Sequence, residues 1–147
     1  KATKFGLPFR HVPTYLAGYY KYKAGDQFTE GGKPVNGKRD ICDIYAIMYE
    51  TSESVPTLDG TNAFISPNLI STARINNAKE TNEWTYFKLP FTTLPGKFID
   101  KEKLTMGKYN ISIVFTSSLE GDHFNGAIGS TLLIDEAELI YRSDLDH

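Results

Sequence analysis

The sequence predicts an all-β fold, a two-sheet β-sandwich of the jelly-roll kind. Short runs of β-branched and aromatic residues recur along the chain, and 12 glycines, 7 prolines and many small polar residues separate them. No apolar pattern is long enough for a substantial helix. Most connections are too long for hairpins, which favours two sheets packed face to face. With 147 residues, a single domain over 1–147 is expected.

Six strong strands are expected in chain order, with room for two or three shorter ones. They cover residues 14–23, 40–50, 69–76, 84–91, 109–118 and 131–142. A short helical turn is expected at 100–104. In the strand 109–118, Tyr109 and Ile111 alternate with Asn110 and Ser112, which predicts one buried face and one wetter face.

The strand at 14–23 carries tyrosines on both of its faces. Alternation gives two sets of residues, which are Leu16, Gly18, Tyr20 and Tyr22 on one side and Tyr15, Ala17, Tyr19, Lys21 and Lys23 on the other. Flat rings with polar groups suit a sugar-binding surface. We expect Tyr20, Lys21 and Tyr22 to contact a ligand, and Tyr45 to join them if its strand is a neighbour. If Tyr20 and Tyr22 are core residues, the expectation moves to Tyr19 and Lys21.

The strand at 84–91 begins with the only tryptophan of the chain. Alternation places Trp84 on the same face as Tyr86, whereas Phe87 and Leu89 lie on the opposite face and are expected to be core. Trp84 and Tyr86 then either cover loops or line a groove. Both are included among the ligand-binding candidates.

Charge and cysteine content restrict the function classes. The formal net charge is -2 and no basic run is present, so no nucleic-acid partner is expected. No apolar stretch has the length of a membrane span, so no direct membrane insertion is expected. The single cysteine, Cys42, excludes an internal disulfide and is expected to be a buried thiol.

Acidic residues supply the candidates for catalysis. A glycoside hydrolase uses two carboxyl groups, and a pair could be drawn from Asp43, Glu120 and Asp122. The same three residues, together with His123 in the polar loop 117–130, could instead bind sugar hydroxyls. Their spacing favours neither role.

Asp135 and Glu136 interrupt the apolar strand 131–142. An acid that points into a sandwich is costly unless it is neutralised. A structural calcium ion bound by Asp135 would neutralise it with oxygen ligands. The alternative is an aspartate that accepts hydrogen bonds from local backbone amides at a bulge or edge. No other cofactor is required.

Several short motifs follow one another in a recognisable order. They are LAGYYKY (16–22), DIYAIMY (43–49), TNEW (81–84), FKLPF (87–91), IVFTSS (113–118), GDHFNGAIGS (121–130) and LIDE (133–136). In this order they resemble the putative carbohydrate metabolism domain at the C-terminus of surface proteins of gut bacteria. The resemblance implies a jelly roll like a carbohydrate-binding module, preceded by an immunoglobulin-like domain, in a protein exported to the bacterial outer surface or periplasm.

The leading hypothesis is a non-catalytic domain that binds an oligosaccharide or polysaccharide. Aromatic rings would stack on the sugar, and lysine and carboxylate groups would bind its hydroxyls. One alternative is a glycoside hydrolase or lyase that uses two of the three acids named above. Another is a structural or adhesion domain that packs on a neighbouring domain through a flat apolar patch.

Overall fold

The computed structural model of the chain describes residues 2–5, 12–51, 67–76, 78–119 and 126–141, with only the backbone at 2–5. Within these ranges the strands are β1 (Ala2–Phe5), β2 (Pro13–Lys23), β3 (Phe28–Glu30), β4 (Lys33–Val35), β5 (Asp43–Glu50), β6 (Leu69–Arg74), β7 (Thr81–Pro90), β8 (Thr92–Thr93), β9 (Tyr109–Thr116), β10 (Gly126–Ala127) and β11 (Thr131–Tyr141), with helix α1 (Lys101–Thr105). The six predicted strands correspond to β2, β5, β6, β7, β9 and β11.

The strands form three antiparallel sheets. A five-stranded sheet has the order β1-β9-β5-β6-β8, a three-stranded sheet has the order β11-β2-β7, and a small sheet has the order β10-β3-β4. The first two sheets enclose the main core, so the fold is an all-β sandwich as the sequence predicts. The jelly-roll variety stays a prediction.

The main core is built from the inward residues of both large sheets. From β2 it takes Leu16, Tyr20 and Tyr22, which pack with Phe87 and Leu89 of β7 and with inward residues of the opposite sheet, namely Ile44, Ala46, Met48, Ile70, Tyr109, Ile111 and Ile113. Leu16, Ile44 and Met48 are completely buried. Burial of these apolar side chains supplies most of the favourable free energy of folding.

The five-stranded sheet is buried on its second face as well. Asn110, Ser112 and Val114 are at most 5% exposed, so the prediction of a wetter face on this strand is wrong. The reason lies in the neighbouring strand β5, whose alternate residues Tyr45, Ile47 and Tyr49 are apolar and form a second cluster with Leu69, Leu94 and Val114. In a sheet that is covered on both faces, alternation of residue types along a strand does not identify a solvent-exposed face.

A bulge in β11 keeps acidic side chains out of the core. The pairing of β11 with β2 steps from Asp135↔Tyr19 to Glu138↔Ala17, so β11 has one extra residue there. Glu136 adopts φ 51, and it is exposed. Gly18 lies opposite the bulge, where a Cβ atom would come within 2.9 Å of the Phe87 ring and 3.1 Å of Ala137 Cα. A glycine is therefore required at this close approach.

Helix α1 confirms the predicted turn near 100–104. Asp100 is its N-cap, and the Asp100 side chain accepts hydrogen bonds from the backbone N–H groups of Glu102 and Lys103 at 2.8 and 3.3 Å. Leu104 is buried and anchors the turn to the main core. Among the described residues, the structure shows no helix with the length and apolar character to span a membrane.

Candidate functional site

The outer surface of the three-stranded sheet carries a row of accessible aromatic side chains. We call it the aromatic face and define it by Tyr15, Tyr19, Lys21, Trp84, Tyr86 and Lys88. Tyr19, Trp84 and Tyr86 are 36%, 44% and 52% exposed. Tyr19 and Tyr86 are direct neighbours across β2 and β7, with ring centroids 5.2 Å apart and planes tilted by 56°. The rings thus form one surface across two strands.

Lysine ammonium groups lie against the other two rings of this face. Lys21 Nζ is 4.8 Å from the Trp84 ring centroid, and Lys88 Nζ is 4.3 Å from the Tyr15 ring centroid. Both are cation–π contacts. Each lysine therefore has its charge held next to a ring that faces solvent.

An irregularity at the start of β7 sets the position of Trp84. Between the pair Tyr20↔Thr85 and the pair Tyr22↔Thr81, β7 moves on by four residues while β2 moves on by two. Strand β7 therefore has two extra residues here. The Oγ1 atoms of Thr81 and Thr85 are hydrogen-bonded at 2.9 Å and close this loop. Trp84 lies within it and comes beside Lys21.

Strand β11 borders the aromatic face with acidic residues and one leucine. Leu133 is opposite Lys21, Asp135 is opposite Tyr19 and Glu138 is opposite Ala17. Leu133 is 49% exposed, and both acids are exposed. On this outer surface, the acids therefore lie on β11, and the rings and lysines lie on β2 and β7.

Asp135 is exposed and does not point into the sandwich. Its Oδ1 atom accepts a hydrogen bond from the Glu136 backbone N–H at 2.9 Å, at the bulge. This is the local backbone arrangement that the sequence left open as the alternative. In the described part of the chain, no three metal-binding side chains lie together. Calcium binding by Asp135 stays an untested prediction.

Tyr20 and Tyr22 belong to the core and cannot form an exposed stacking platform. They are 6% and 2% exposed. The Tyr22 hydroxyl donates a 2.6 Å hydrogen bond to the Ser117 carbonyl, and burial raises the pKa of Tyr22 to about 12. The sequence could not decide between the two tyrosine faces of this strand. With Tyr20 and Tyr22 in the core, the ligand-binding expectation for this strand moves to Tyr19 and Lys21, which lie on its outer side.

Tyr45 and Asp43 do not join the aromatic face. Their strand β5 lies in the five-stranded sheet, so the assumption that it neighbours β2 is wrong. Tyr45 is 4% exposed. The buried Asp43 carboxylate accepts hydrogen bonds from Arg74 Nε and Nη2 at 3.1 and 2.7 Å. This bidentate ion pair gives Asp43 a structural role. Glu120, Asp122 and His123 lie outside the described residues.

A buried aspartate that the sequence did not single out as functional connects distant segments. Asp40 Oδ2 accepts hydrogen bonds from Ser118 Oγ, from Ser130 Oγ at 2.6 Å and from the Ala127 backbone N–H at 3.0 Å. Its partners are 78 to 90 residues away in the chain, which is why no local pattern predicts them. The carboxylate joins the start of β5 to the segments before and after residues 120–125.

Cys42 is 2% exposed, which confirms the predicted buried thiol. Burial raises its pKa to about 12, so the nucleophilic thiolate is disfavoured.

Near α1, the side chains of Glu50, Lys97, Phe98 and Tyr109 line a cleft of about 140 Å³. That volume is below the several hundred Å³ typical of small-molecule sites. The aromatic face is therefore the stronger candidate.

Crystal structures similar to the chain include two of proteins from Bacteroides species. One, of a putative glycoside hydrolase from Bacteroides thetaiotaomicron VPI-5482, is 88% identical with a TM-score of 0.91, and the match covers 95% of this chain and 41% of that one. The other, of a putative glycoside hydrolase from Bacteroides vulgatus ATCC 8482, is 45% identical with a TM-score of 0.83, and the match covers 96% of this chain and 55% of that one.

This chain therefore corresponds to 41% and 55% of the two similar proteins. A search of the curated proteins gave no match. The profile of the family described as "Putative carbohydrate metabolism domain" matches residues 1–140. That match agrees with the resemblance in the ordered motifs, and the chain belongs to this family.

Proposed function

We propose that the chain is a non-catalytic glycan-binding domain and that the aromatic face is its binding surface. The family description and the names of the similar proteins connect it with carbohydrates. The observation that carries the proposal is the exposure of Tyr19, Trp84 and Tyr86 on neighbouring strands of one sheet. Exposed rings grouped in this way favour a binding surface over ordinary solvated surface.

The chemistry of the face suits a sugar. Tyrosine and tryptophan rings present flat apolar surface that packs against the C–H groups of a pyranose ring. The Tyr86 hydroxyl, the Lys21 ammonium and the Asp135 carboxylate supply donors and acceptors for hydroxyl groups. Rings on rigid strands lose little conformational entropy on binding, which favours affinity.

Binding is better supported than hydrolysis by the described residues. A glycoside hydrolase requires two carboxyl groups on opposite sides of the scissile bond. Asp43, one of the three acids considered for this role, is held by Arg74 and buried at 4% exposure. Because this chain spans only 41% and 55% of the similar proteins, their names do not assign catalysis to this part.

A glycan array followed by calorimetry of the positive glycans tests the proposal. We expect Trp84→Ala and Tyr86→Ala each to lower affinity about tenfold, because each removes one stacking ring. The melting temperature should stay within a few degrees, since both side chains are exposed. Phe98→Ala is the matched control, as Phe98 is 72% exposed but lies near α1.

Three outcomes would contradict the proposal. Equal losses in Phe98→Ala would show that the aromatic face has no special role. Hydrolysis of a bound glycan by the isolated domain would show that it is catalytic. Failure to bind any glycan would favour a structural or adhesion role, in which the same face packs against a neighbouring domain.

The proposal includes a cellular setting. We place the domain in an exported bacterial protein, next to an immunoglobulin-like domain, because the ordered motifs resemble such surface proteins. Protease treatment of intact cells, followed by immunoblotting for the domain, tests this. Loss of the signal from intact cells is expected, and full protection in both intact cells and spheroplasts would contradict export.

A further inference from the structure

The lysines of the aromatic face contact rings rather than carboxylates. Among the other residues that the structure describes, four basic side chains form ion pairs of 2.7–2.9 Å with a carboxylate, namely Lys38, Arg39, Arg74 and Lys103. In the described part of the chain, neither Lys21 nor Lys88 forms such a pair. Their charges are held on rings instead and remain available to a ligand.

The two lysines lie on either side of the Tyr19–Tyr86 ring pair. Lys88 is opposite Ala17 on β2, and Lys21 is four residues further along that strand. At roughly 3.3 Å per residue, their positions are about 13 Å apart along the strand. The Tyr19 and Tyr86 rings lie between them. A ligand along this surface would meet a cation, a ring pair and a second cation in order.

The acids of strand β11 lie on the opposite side of β2 from Trp84, Tyr86 and Lys88, and β7 itself carries one exposed acid, Glu83. Asp135 and Glu138 are on β11, whereas Lys88 and the Trp84 and Tyr86 rings are on β7. A negatively charged ligand is therefore attracted toward the β2–β7 side and repelled from β11. The charge distribution selects both a type of ligand and its position.

The cation–π contacts favour the same type of ligand. A sugar that stacks on Trp84 or Tyr15 replaces the lysine that now lies against that ring. A neutral sugar offers the displaced ammonium only hydroxyl groups, whereas an anionic sugar offers a shorter and stronger charge-assisted hydrogen bond. The lysine ammonium therefore gains most from leaving the ring and binding the ligand when the ligand carries negative groups.

We propose that the aromatic face, as a glycan-binding surface, selects glycans with negatively charged groups, namely uronic acid carboxylates or sulfate esters. This inference rests on the proposed function and specifies its ligand class. Two matched pairs of polymers test it by calorimetry. Polygalacturonate and its methyl ester differ at the carboxyl group, which is ionised in the first and neutral and methylated in the second, and chondroitin 4-sulfate and chondroitin differ only in sulfate.

In at least one pair, we expect the more charged polymer to bind about tenfold more tightly, with affinity that falls as NaCl is raised. A difference in the first pair alone identifies carboxylates, and a difference in the second pair alone identifies sulfates. No difference in either pair would overturn the selection for anionic glycans. Binding of all four polymers would then still support the proposed function, and failure of the whole glycan array would contradict that function.

Charge variants connect the selectivity to this face. Lys21→Gln and Lys88→Gln should each weaken binding of the preferred charged polymer about fivefold, and should weaken binding of its matched partner by a smaller factor. Lys21→Arg should retain the affinity. Lys33→Gln, at an exposed lysine in the small sheet, is the control. Wild-type affinity in both glutamine variants would overturn the inference.

Discussion

At the scale of single residues, Asp40 is the clearest example of a side chain whose role depends on distant partners. Its buried carboxylate accepts hydrogen bonds from two serine hydroxyls, Ser118 and Ser130, and from the Ala127 N–H. Gly126 is part of the arrangement, because an added Cβ would come within 2.9 Å of Ser118 Oγ. A buried carboxylate is tolerated here because donors surround it.

We expect Asp40→Asn to lower the free energy of unfolding by about 2 kcal/mol or more, because the amide cannot accept all of these hydrogen bonds. Urea denaturation measures the change, and Asp26→Asn at an exposed position is the control. Equal stability of Asp40→Asn and the wild type would contradict the structural role of this carboxylate.

At the scale of elements, strands β2, β7 and β11 show what alternation predicts and where it fails. The outward set of β7, with Trp84 and Tyr86, follows directly from alternation with Phe87 and Leu89. On β2, both faces carry tyrosines, and only the packing against Phe87 and the opposite sheet decides that Tyr20 is inward. On β11, the bulge at 136–137 breaks the alternation that would have placed an acid inward.

The bulge in β11 gives a prediction for a deletion. Removal of Ala137 would make the pairing with β2 regular and direct the Glu136 side chain toward Gly18 and the core. The free energy of unfolding should fall by more than about 3 kcal/mol, because an unpaired carboxylate would be buried. Adding Glu136→Val to the deletion should recover part of the loss, as measured by thermal unfolding. No recovery would show that the bulge itself, rather than the acid, is required.

At the scale of the whole molecule, the sequence predicts the sandwich because β-rich composition and turn residues occur throughout the chain. It predicts less about the faces of the sheets. The second face of the five-stranded sheet is buried, so the polar residues Asn110 and Ser112 do not indicate a face exposed to solvent. Of the candidate site, Lys21, Trp84 and Tyr86 lie on one surface, whereas Asp43 and Tyr45 belong to the other sheet. Strand order is a long-range property that local patterns do not contain.

The whole fold should lose stability at alkaline pH. The pKa of Cys42 is about 12 in the folded protein against an ordinary 9.0, and that of Tyr22 is about 12 against 10.0. Between these values the unfolded chain releases protons that the folded protein retains, so unfolding becomes more favourable as pH rises from about 9 to about 12. Well below pH 9 these two groups are almost entirely neutral in both states and contribute little pH dependence.

Urea denaturation at a series of pH values from about 8 to about 11 tests this linkage. The slope of unfolding free energy against pH should be less steep in Cys42→Ala than in the wild type, whatever the absolute stability of the variant. Identical slopes would contradict the contribution of the buried thiol.

The central claim is that a glycan binds on the aromatic face, and Trp84 allows a direct test. It is the only tryptophan in the chain and it is 44% exposed, so its fluorescence reports on this surface alone. Titration with a glycan that binds in calorimetry should change the Trp84 emission, with saturation at the calorimetric affinity. An unchanged emission spectrum at full occupancy would place the glycan elsewhere and contradict the claim.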